Sequence, residues 1–535
     1  MKTMINSIIL ASCLALPLAS CSDSDAAPEQ KDWSTTTYFN SSDAAAQDTY
    51  YKPAVGYVGD PMPFFDPVAG DFKVLYLQDF RPNPEGTYHP IWGVSTKDAA
   101  HYTALGELVS CGTLKSQDAA IGTGSTIYDE ASKLYYTFYT GNKYKPTGDE
   151  SAQAVMVATS ADFKTWTKDR TFLIKGQDFG YDKNDFRDPF VFKGDDGKFH
   201  MLISTKKGGK GSLAEFVSDD LKNWTDNGVF MTMMWDRFYE CPDLFKMGDY
   251  WYLVYSELHH AVRRVQYFKG RTLDELKACT ANDAGIWPDA HEGFLDSRGL
   301  YAGKTASDGT NRYLWGWCPT RSGKDNTAVG ASPAEPEWAG NLVCYKLIQH
   351  EDGTLTLGQV DAVSEKYNQD VAVEVKESQN MTEADGTYTL AGNVEQPDAY
   401  MLMGRLGSHN KISFTVTTSN EWDKFGISMV RGSDSKKYYT MVVNPENENN
   451  RKVNFEEQGV EGKGFIAGID GYVFARPADN VYNVTIYTDN SICVMYINDV
   501  CSYTNRIYGI QKNCWSINSY NGANVKISNL KISQY

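Results

Sequence analysis

Short stretches in which aromatic and aliphatic residues alternate with polar ones recur along the first part of the chain. Five of them begin at Phe72, Tyr135, Phe199, Tyr250 and Tyr313, so successive starts lie 63, 64, 51 and 63 residues apart. Each stretch follows another short apolar segment and a turn rich in Gly, Asp or Asn, which is the pattern of a β-hairpin. The spacing therefore predicts five repeated β-units.

The ends of these units also resemble one another. Residues 160–166 (SADFKTW) and 218–224 (SDDLKNW) are nearly identical, and residues 95–102 form a weaker third copy. Helical periodicity is almost absent, and only residues 273–279 predict a short helix. We therefore predict an all-β protein with a five-bladed β-propeller over residues 48–345. A β-sandwich would also account for the strands, but it does not explain the period.

The regular spacing stops after the fifth unit. Residues 346–370 are predicted to be a linker, and residues 371–535 alternate between strand patterns and turn-rich spacers, which favours a C-terminal β-sandwich. Within one predicted hairpin of the sandwich, Cys493 and Cys501 either form a disulfide or remain buried thiols. The sandwich either binds carbohydrate or covers one flank of the propeller, and we favour the structural role.

Composition and charge narrow the classes of function. The chain has 535 residues and a net charge of −17, and no basic run exceeds three residues. Such a surface repels a phosphate backbone, so we expect no nucleic-acid partner. No Cys-x-x-Cys pair or His-Glu-x-x-His motif is present, and the glycines of residues 208–211 are better explained as a turn than as a phosphate loop. We therefore expect no cofactor and no metal, and we expect a monomer.

The N-terminus is typical of an exported protein. Residues 1–20 combine one lysine with an apolar run that is too short to span a bilayer comfortably, which indicates a signal peptide. The Leu-Ala-Ser sequence before Cys21 resembles the lipobox of bacterial lipoproteins. We expect a lipid on Cys21 as the sole membrane contact, a polar tether over residues 21–47, and a periplasmic or outer-membrane location. A secretory signal without a lipid is the alternative.

Three acidic residues occupy equivalent places in the repeats. Asp60 precedes its aromatic strand by 12 residues, Asp188 by 11 and Glu240 by 10, and a proline follows each of them directly or one residue later. The first strand of each propeller blade lines the central axis, so we predict that the three carboxylates converge on one cavity. Turn or capping roles are the alternative for any single acid. Calcium binding is a second chemical interpretation, but no Asp-x-Asp-x-Asp-Gly loop is present.

Convergence of carboxylates has a chemical consequence. Mutual repulsion and burial raise the pKa of at least one carboxyl group and leave another ionised. Cleavage of a glycosidic bond needs one protonated and one ionised carboxyl group. The protonated acid donates its proton to the leaving oxygen, while the anion attacks or stabilises the sugar. The pattern therefore favours a glycoside hydrolase.

Three short blocks carry a resemblance to a known enzyme family. Gly-Asp-Pro at residues 59–61, Arg-Asp-Pro at 187–189 and Glu-Cys-Pro-Asp-Leu-Phe at 240–245 resemble, in this order, the signature of glycoside hydrolase family 32, the β-fructosidases. The supporting matches are Gln78, Thr-Gly-Ser at 123–125, Leu-Tyr-Ala at 300–302, Gly-Trp at 316–317 and Trp-Ala-Gly at 338–340. The resemblance is clear over residues 50–345 and only architectural beyond them.

The resemblance implies a retaining hydrolase that cleaves β-fructofuranosidic bonds in fructans or fructo-oligosaccharides. Asp60 would be the nucleophile that forms a fructosyl-enzyme, Glu240 the general acid and then base, and Asp188 the stabiliser of the oxocarbenium-like centre. Retention follows if the Asp60 and Glu240 carboxyl groups lie about 5 to 5.5 Å apart. The predicted substrate-binding residues are Gln78, Trp92, Ser125, Arg187 and Cys241.

The sequence also departs from the family pattern. The family usually has Trp-Met-Asn-Asp-Pro-Asn-Gly around its nucleophile, whereas Gly59 and Met62 stand here in place of the two asparagines. Gly122 likewise replaces an expected aromatic residue. Each lost hydrogen bond to a sugar hydroxyl would weaken discrimination by about 1 kcal/mol. These changes leave the acids intact and the identity of the sugar open.

Two alternative functions are compatible with the sequence. One is an inverting hydrolase of the arabinan or xylan type from the related five-bladed clan, with carboxyl groups about 6.5 to 9.5 Å apart. The other is a non-catalytic lipoprotein that captures glycans on exposed aromatic rings. The candidate rings for capture are Trp92, Phe186, Trp235 and Tyr239.

Overall fold

The computed structural model describes residues 47, 49–81, 83–233, 238–257, 264–279, 292–320, 338–431, 438–445, 452–458, 472–474 and 476–535. The predicted signal peptide, Cys21 and nearly all of the tether lie outside these residues. Gln47 is described, and it already pairs with Lys52 in a β-bridge. The folded domain therefore includes the last residue of the predicted tether.

The first domain consists of five antiparallel blades, each numbered from its inner strand outwards. Blade one contains β1 (Tyr57–Asp66), β2 (Asp71–Asp79), β3 (Ile91–Thr96) and β4 (Thr103–Val109). Blade two contains β5 (Ala120–Asp129), β6 (Leu134–Asn142), β7 (Gln153–Ser160) and β8 (Thr167–Lys168). Blade three contains β9 (Phe186–Lys193), β10 (Phe199–Lys207), β11 (Lys210–Ser218) and β12 (Thr225–Thr232). Blade four contains β13 (Tyr239–Met247), β14 (Tyr250–Glu257), β15 (Arg264–Gly270) and β16 (Glu292–Phe294). Blade five contains β17 (Tyr301–Ser307), β18 (Arg312–Pro319), β19 (Gly340–Gln349) and β20 (Leu355–Gly358).

The five inner strands form a closed ring. Each of β1, β5, β9 and β13 packs against the inner strand of the next blade, and β17 packs back against β1. The ring is also joined by backbone pairing, because β19 pairs with β1 through Gly340 and Val58. The aromatic stretches used for the prediction are the second strands of the five blades. The predicted fold class, a five-bladed propeller followed by a β-sandwich, is confirmed.

The repeated Ser-x-Asp segments are turns at the outer edges of blades two and three. The Asp162 carboxylate accepts hydrogen bonds from the backbone N–H groups two and three residues later, both at 2.8 Å. Asp220 makes the same two contacts at 2.9 and 2.8 Å. An aspartate that bonds to its own following backbone stabilises a tight turn, so the repeated sequence reflects a repeated turn.

The boundary between the domains differs from the predicted one. β19 continues to Gln349, and β20 pairs with it as the outer strand of blade five. The predicted linker of residues 346–370 is therefore mostly folded structure, and it also contains the helix α2 (Asp361–Lys366). The sequence missed this because β20 has only four residues, which is too short for a strand pattern to stand out.

The second domain is a sandwich of two antiparallel sheets. One sheet contains β21 (Gln369–Val371), β23 (Met381–Ala384), β24 (Thr387–Ala391), β26 (His409–Thr418), β31 (Val481–Asp489), β32 (Ile492–Ile497), β33 (Cys501–Arg506) and β35 (Asn524–Gln534). The other contains β22 (Val375–Gln379), β25 (Ala399–Arg405), β27 (Lys424–Arg431), β28 (Tyr438–Asn444), β29 (Lys452–Gln458), β30 (Tyr472–Val473) and β34 (Cys514–Tyr520). Alternate residues of the facing strands, such as Ile412, Ile427 and Trp515, are fully buried between the sheets.

Polar contacts bind the sandwich to the propeller. The buried Asp296 carboxylate accepts hydrogen bonds from the backbone and hydroxyl of Thr504, both at 2.8 Å, and from the hydroxyl of Ser502 at 2.9 Å. The buried Arg506 guanidinium donates to the carbonyls of Cys318 and Pro319 in blade five. Each domain thus satisfies buried polar groups of the other.

Two further predictions, the short helix and the possible disulfide, can be compared with the structure. The predicted short helix is α1 (Leu273–Lys277), whose first turn is capped by the Thr272 hydroxyl. The possible disulfide is excluded, since Cys501 lies opposite Ile497, four residues along the strand from Cys493 and so about 13 Å away. All eight described cysteines are free thiols. No helix among the described residues is long and apolar enough to cross a membrane.

Candidate active site

A β-bulge interrupts the pairing of the inner strand with its neighbour in every blade. The five irregularities lie at Gly59–Met62, Gly122–Gly124, Arg187–Phe190, Glu240–Asp243 and Tyr301–Lys304. A bulge adds unpaired residues and turns the strand, which redirects side chains at that point. The prolines after the acids sit in these bulges, where no ladder hydrogen bond is lost.

The bulges hold several residues in a backbone conformation that side chains rarely adopt. Asp60, Asp188 and Cys241 have positive φ angles of 24°, 57° and 50°. Such a conformation costs about 1 to 3 kcal/mol for each residue and persists only where the surrounding structure imposes it. Here it aims the side chains into a common cavity of about 270 Å³ at the axis, which Asp60, Asp188, Glu240, Arg187 and Cys241 line together.

Asp60 is held by two hydrogen-bond donors from other blades. The Thr123 hydroxyl donates to its Oδ2 at 2.7 Å, and the Trp317 indole nitrogen donates to its Oδ1 at 3.0 Å. Both contacts stabilise a carboxylate anion and fix its orientation.

Asp188 is the most enclosed of the three acids. Its side chain is buried, and the backbone N–H of Cys241 donates to its Oδ2 at 2.9 Å. Burial raises the pKa of Asp188 from 3.8 to about 6, and the charges of Glu240 and Asp60 act in the same direction against Arg187 and the Cys241 amide. The cavity therefore contains a carboxyl group that changes charge near pH 6.

Glu240 is bound by a cation and a phenol. The Arg187 guanidinium donates to its Oε1 at 2.8 Å, and the Tyr301 hydroxyl donates to its Oε2. Arg187 also donates to Asp185 at 2.7 Å, and its guanidinium carbon lies 3.9 Å from the centre of the Phe238 ring. Burial works to lower the pKa of Arg187, but the attraction of Glu240 and Asp188 is stronger and raises it, so the cation is permanent.

The Cys241 thiol is part of the floor of the cavity. It packs in a small cluster with Tyr301, Ala302 and Trp317, and burial together with the charges of Asp60 and Asp188 raises its pKa well above the usual range. The thiol is therefore protonated and unreactive at neutral pH.

Comparison with known proteins identifies the family. Residues 50–360 match the glycosyl hydrolases family 32 N-terminal domain, and residues 353–532 match the domain described as GH32, BT1760-like, C-terminal domain. The chain belongs to glycoside hydrolase family 32.

Individual relatives are distant. An insoluble β-fructofuranosidase isoenzyme from Arabidopsis thaliana is 26% identical over 320 residues, which are 54% of this chain and 51% of the relative. The chain thus spans about half the length of this relative.

Solved structures share the fold over nearly the whole chain. The sucrose-6-phosphate hydrolase of Lactobacillus gasseri has a TM-score of 0.67 at 19% identity, with 91% of this chain and 92% of that one covered. The fructan 1-exohydrolase IIa of Cichorium intybus, solved with 1-kestose, has a TM-score of 0.65 at 16% identity, covering 91% and 97%. At such identities the likeness establishes the fold alone.

Three predicted substrate-binding residues of this family 32 protein are not among the described residues that line the cavity. The Gln78 amide is buried and donates to the carbonyl of Val55 at 2.6 Å. The Ser125 hydroxyl donates to the carbonyl of Pro189 at 2.9 Å and so joins blade two to blade three. Trp92 packs against Phe80 and the core between blades. Sugar-binding roles for Gln78, Trp92 and Ser125 stay predictions, and the protein contacts of these side chains do not add support for them.

The described aromatic rings among those suggested for glycan capture do not form a binding face either. Phe186 and Tyr239 are fully buried in the cores of their blades, and Trp235 lies outside the described residues. The described rings at the cavity are instead Tyr88, His89, Tyr301 and Trp338.

Several residues at the cavity were not assigned a role from the sequence. Thr123, Tyr301 and Trp317 lie in the supporting motifs of the family resemblance, and their contacts with the acids became apparent only in the structure. His89 lies in an irregular segment before β3, and no motif pointed to it.

The structure accounts for one departure from the family pattern. A Cβ atom on Gly59 would lie 2.2 Å from the six-membered ring of Trp338. The indole therefore occupies the space that an asparagine side chain would need.

Proposed function

We propose that this protein is a retaining β-fructofuranosidase that cleaves fructans or fructo-oligosaccharides through a fructosyl-enzyme. The observation that carries the proposal is the convergence of Asp60, Asp188 and Glu240, from three different blades, on one cavity. Their three environments differ, as a division of catalytic roles requires.

In the first step, an Asp60 oxygen attacks the anomeric carbon of the fructosyl unit. The bond from this carbon to the glycosidic oxygen breaks, the bond to Asp60 forms, and Glu240 transfers its proton to the leaving oxygen. Thr123 and Trp317 hold Asp60 as the attacking anion. In the second step, Glu240 removes a proton from water, which displaces Asp60 and restores both groups.

The partners of Glu240 suit a group that alternates between acid and base. Arg187 holds Oε1, which leaves the proton to be carried on Oε2 beside the Tyr301 hydroxyl. A tyrosine hydroxyl can donate to a carboxylate or accept from a carboxylic acid, so it satisfies both states of Glu240.

Asp188 supplies negative charge to the oxocarbenium-like transition state. Its Oδ2 is occupied by the Cys241 amide, while Oδ1 accepts no hydrogen bond from a described residue and is available to the fructosyl hydroxyls.

The charge of the described lining favours neutral sugars over sugar phosphates. It contains three carboxylates and a single guanidinium, Arg187, which is already bound by Glu240 and Asp185. A phosphate group would meet net repulsion there. We therefore favour uncharged fructosides over sucrose 6-phosphate, the substrate in the name of the Lactobacillus gasseri hydrolase.

The test is sugar release from levan, inulin, sucrose, sucrose 6-phosphate, arabinan and xylan. We expect release of fructose or fructo-oligosaccharides from the first three substrates only. Glu240→Gln should lower the rate by about 10² to 10⁴, since general acid–base catalysis contributes that much, whereas the exposed Glu130→Gln in the same domain should not. Cleavage of arabinan or xylan alone, or binding without cleavage, would replace the proposal with one of the alternatives.

We also propose that the protein is exported and anchored through a lipid on Cys21. The sequence before Cys21 is the support for this location. Radiolabelled palmitate should be incorporated into the wild type and not into Cys21→Ala, which should be released from membranes. Equal labelling of both proteins would contradict the anchor.

A further inference from the structure

Two aromatic rings form a stacked pair in the wall of the cavity. The ring centres of His89 and Trp338 lie 4.1 Å apart with an angle of 19° between the planes. Both residues line the same cavity as the three acids, and the centre of the Trp338 ring lies 6.1 Å from that of Trp317, the donor to Asp60. The pair therefore lies next to the proposed nucleophile.

The backbone before the nucleophile is shaped to receive Trp338. The six-membered edge of the indole lies over Gly59, where an added Cβ would be 2.2 to 2.8 Å from three ring carbons. Real Cβ atoms do not approach other atoms this closely, so a side chain at position 59 and this position of the indole exclude each other. Arg81 donates a hydrogen bond to the backbone carbonyl of Trp338, and this contact holds the backbone of Trp338 in place.

The polar edges of the two rings have no hydrogen-bond partner among the described residues. No described residue accepts a hydrogen bond from the Trp338 indole nitrogen, and the His89 imidazole has no hydrogen bond to a described residue, with the Asp79 carboxylate 4.0 Å away. Burial lowers the pKa of His89 from 6.5 to about 4, against the attraction of Asp79, so the ring is neutral at working pH. The pair thus offers an apolar face and uncharged polar edges, which match the alternating C–H and hydroxyl surface of a sugar.

We propose that His89 and Trp338 form a neutral sugar-binding shelf that sets fructoside preference, and that Gly59 is the residue that makes room for it. This inference rests on the proposed function. In this protein an aromatic face replaces a side-chain amide beside the nucleophile, so recognition there depends on stacking more than on directed hydrogen bonds.

The test is a double-mutant cycle with Gly59→Ala, Trp338→Ala and the combined variant. Values of kcat and KM are measured for sucrose and for levan- and inulin-type oligosaccharides. Gly59→Ala should lower kcat/KM by about tenfold or more, because the added methyl group displaces the indole. Trp338→Ala should lower kcat/KM by about tenfold, mainly through KM and unequally among the substrates. The combined variant should be no worse than Trp338→Ala, since the methyl group then has nothing to displace.

Two controls test for general effects of the substitutions. Gly404→Ala places a methyl group 3.1 Å from a movable carboxylate oxygen in the sandwich, and Trp422→Ala removes an exposed indole, 41% accessible, from the same domain. Both should keep wild-type kinetics, and thermal midpoints verify that all variants are folded.

The outcomes separate the two proposals. If the wild type cleaves no fructoside, the proposed function fails and the shelf fails with it. If the wild type is active but the losses of Gly59→Ala and Trp338→Ala multiply in the combined variant, the shelf is wrong and the proposed function stands. If Trp338→Ala lowers kcat equally for all substrates and leaves KM unchanged, Trp338 does not bind sugar. Its role would then be to hold Trp317 in position, and the shelf would be wrong.

Discussion

Replacing Asp188 by asparagine should stabilise the protein at neutral pH while it removes activity. Asp188 is only 4% exposed, and burial raises its pKa from 3.8 to about 6. Between these two pH values the folded protein binds this proton more tightly than the unfolded chain does. The contribution of Asp188 to the free energy of unfolding is therefore highest below pH 4, decreases as the pH rises to 6, and is constant above that.

The shift sets the magnitude of the effect. About two pKa units correspond to about 3 kcal/mol of cost for the ionised form. Asparagine has nearly the shape of the protonated acid and stays neutral, and its side-chain oxygen can still accept the hydrogen bond from the Cys241 amide. The stability of Asp188→Asn relative to the wild type should therefore increase by about 2 to 3 kcal/mol between pH 4 and pH 7.5.

Urea unfolding of both proteins at pH 4 and pH 7.5, followed by tryptophan fluorescence, measures this quantity. Titrating groups that do not interact with Asp188 cancel in the difference between the proteins, so the difference measures Asp188 together with its coupled neighbours Arg187, Glu240 and Asp60. In parallel, kcat/KM of the wild type should decline as the pH falls through about 6, because a protonated Asp188 no longer offers an anion to the sugar. A stability difference that stays constant or shrinks with rising pH would refute the assignment of a buried ionisation cost to Asp188.

Three other substitutions or treatments have defined outcomes. Asp60→Asn should form no covalent adduct with a slow fructoside that carries fluorine on the fructosyl ring, whereas the wild type should gain the mass of one fluorinated fructosyl group; an adduct on the variant would remove Asp60 as nucleophile. Asp296→Ala should lower stability by about 3 kcal/mol, because it leaves the donors of Thr504 and its neighbours buried without an acceptor, and an unchanged calorimetric midpoint would contradict this. Thiol titration of the unfolded, unreduced protein should count Cys493 and Cys501 as free, whereas loss of two thiols would indicate a bridge.

The periodic features of this protein are determined by the chain alone. A blade alternates inward and outward side chains at a period of two residues, and five such units repeat the same turns, so the propeller is visible in the spacing of its aromatic strands. The acids could be predicted for the same reason. Asp60, Asp188 and Glu240 hold equivalent offsets within their units, and a ring of equivalent strands places them around one axis.

The partners of individual side chains depend on the tertiary structure. Gln78 and Ser125 have the chemistry of sugar ligands, but the Gln78 amide nitrogen donates to the carbonyl of Val55 and the Ser125 hydroxyl donates to the carbonyl of Pro189. Trp338 reaches the space above Gly59 only because blade five closes against blade one. Hydrophobic pattern and motif spacing are properties of short segments, whereas cavity shape and hydrogen-bond partners arise from contacts between segments far apart in the chain. The sequence alone therefore predicted the architecture and the convergence of the three acids, and only the packed structure decided which residues line the cavity around them.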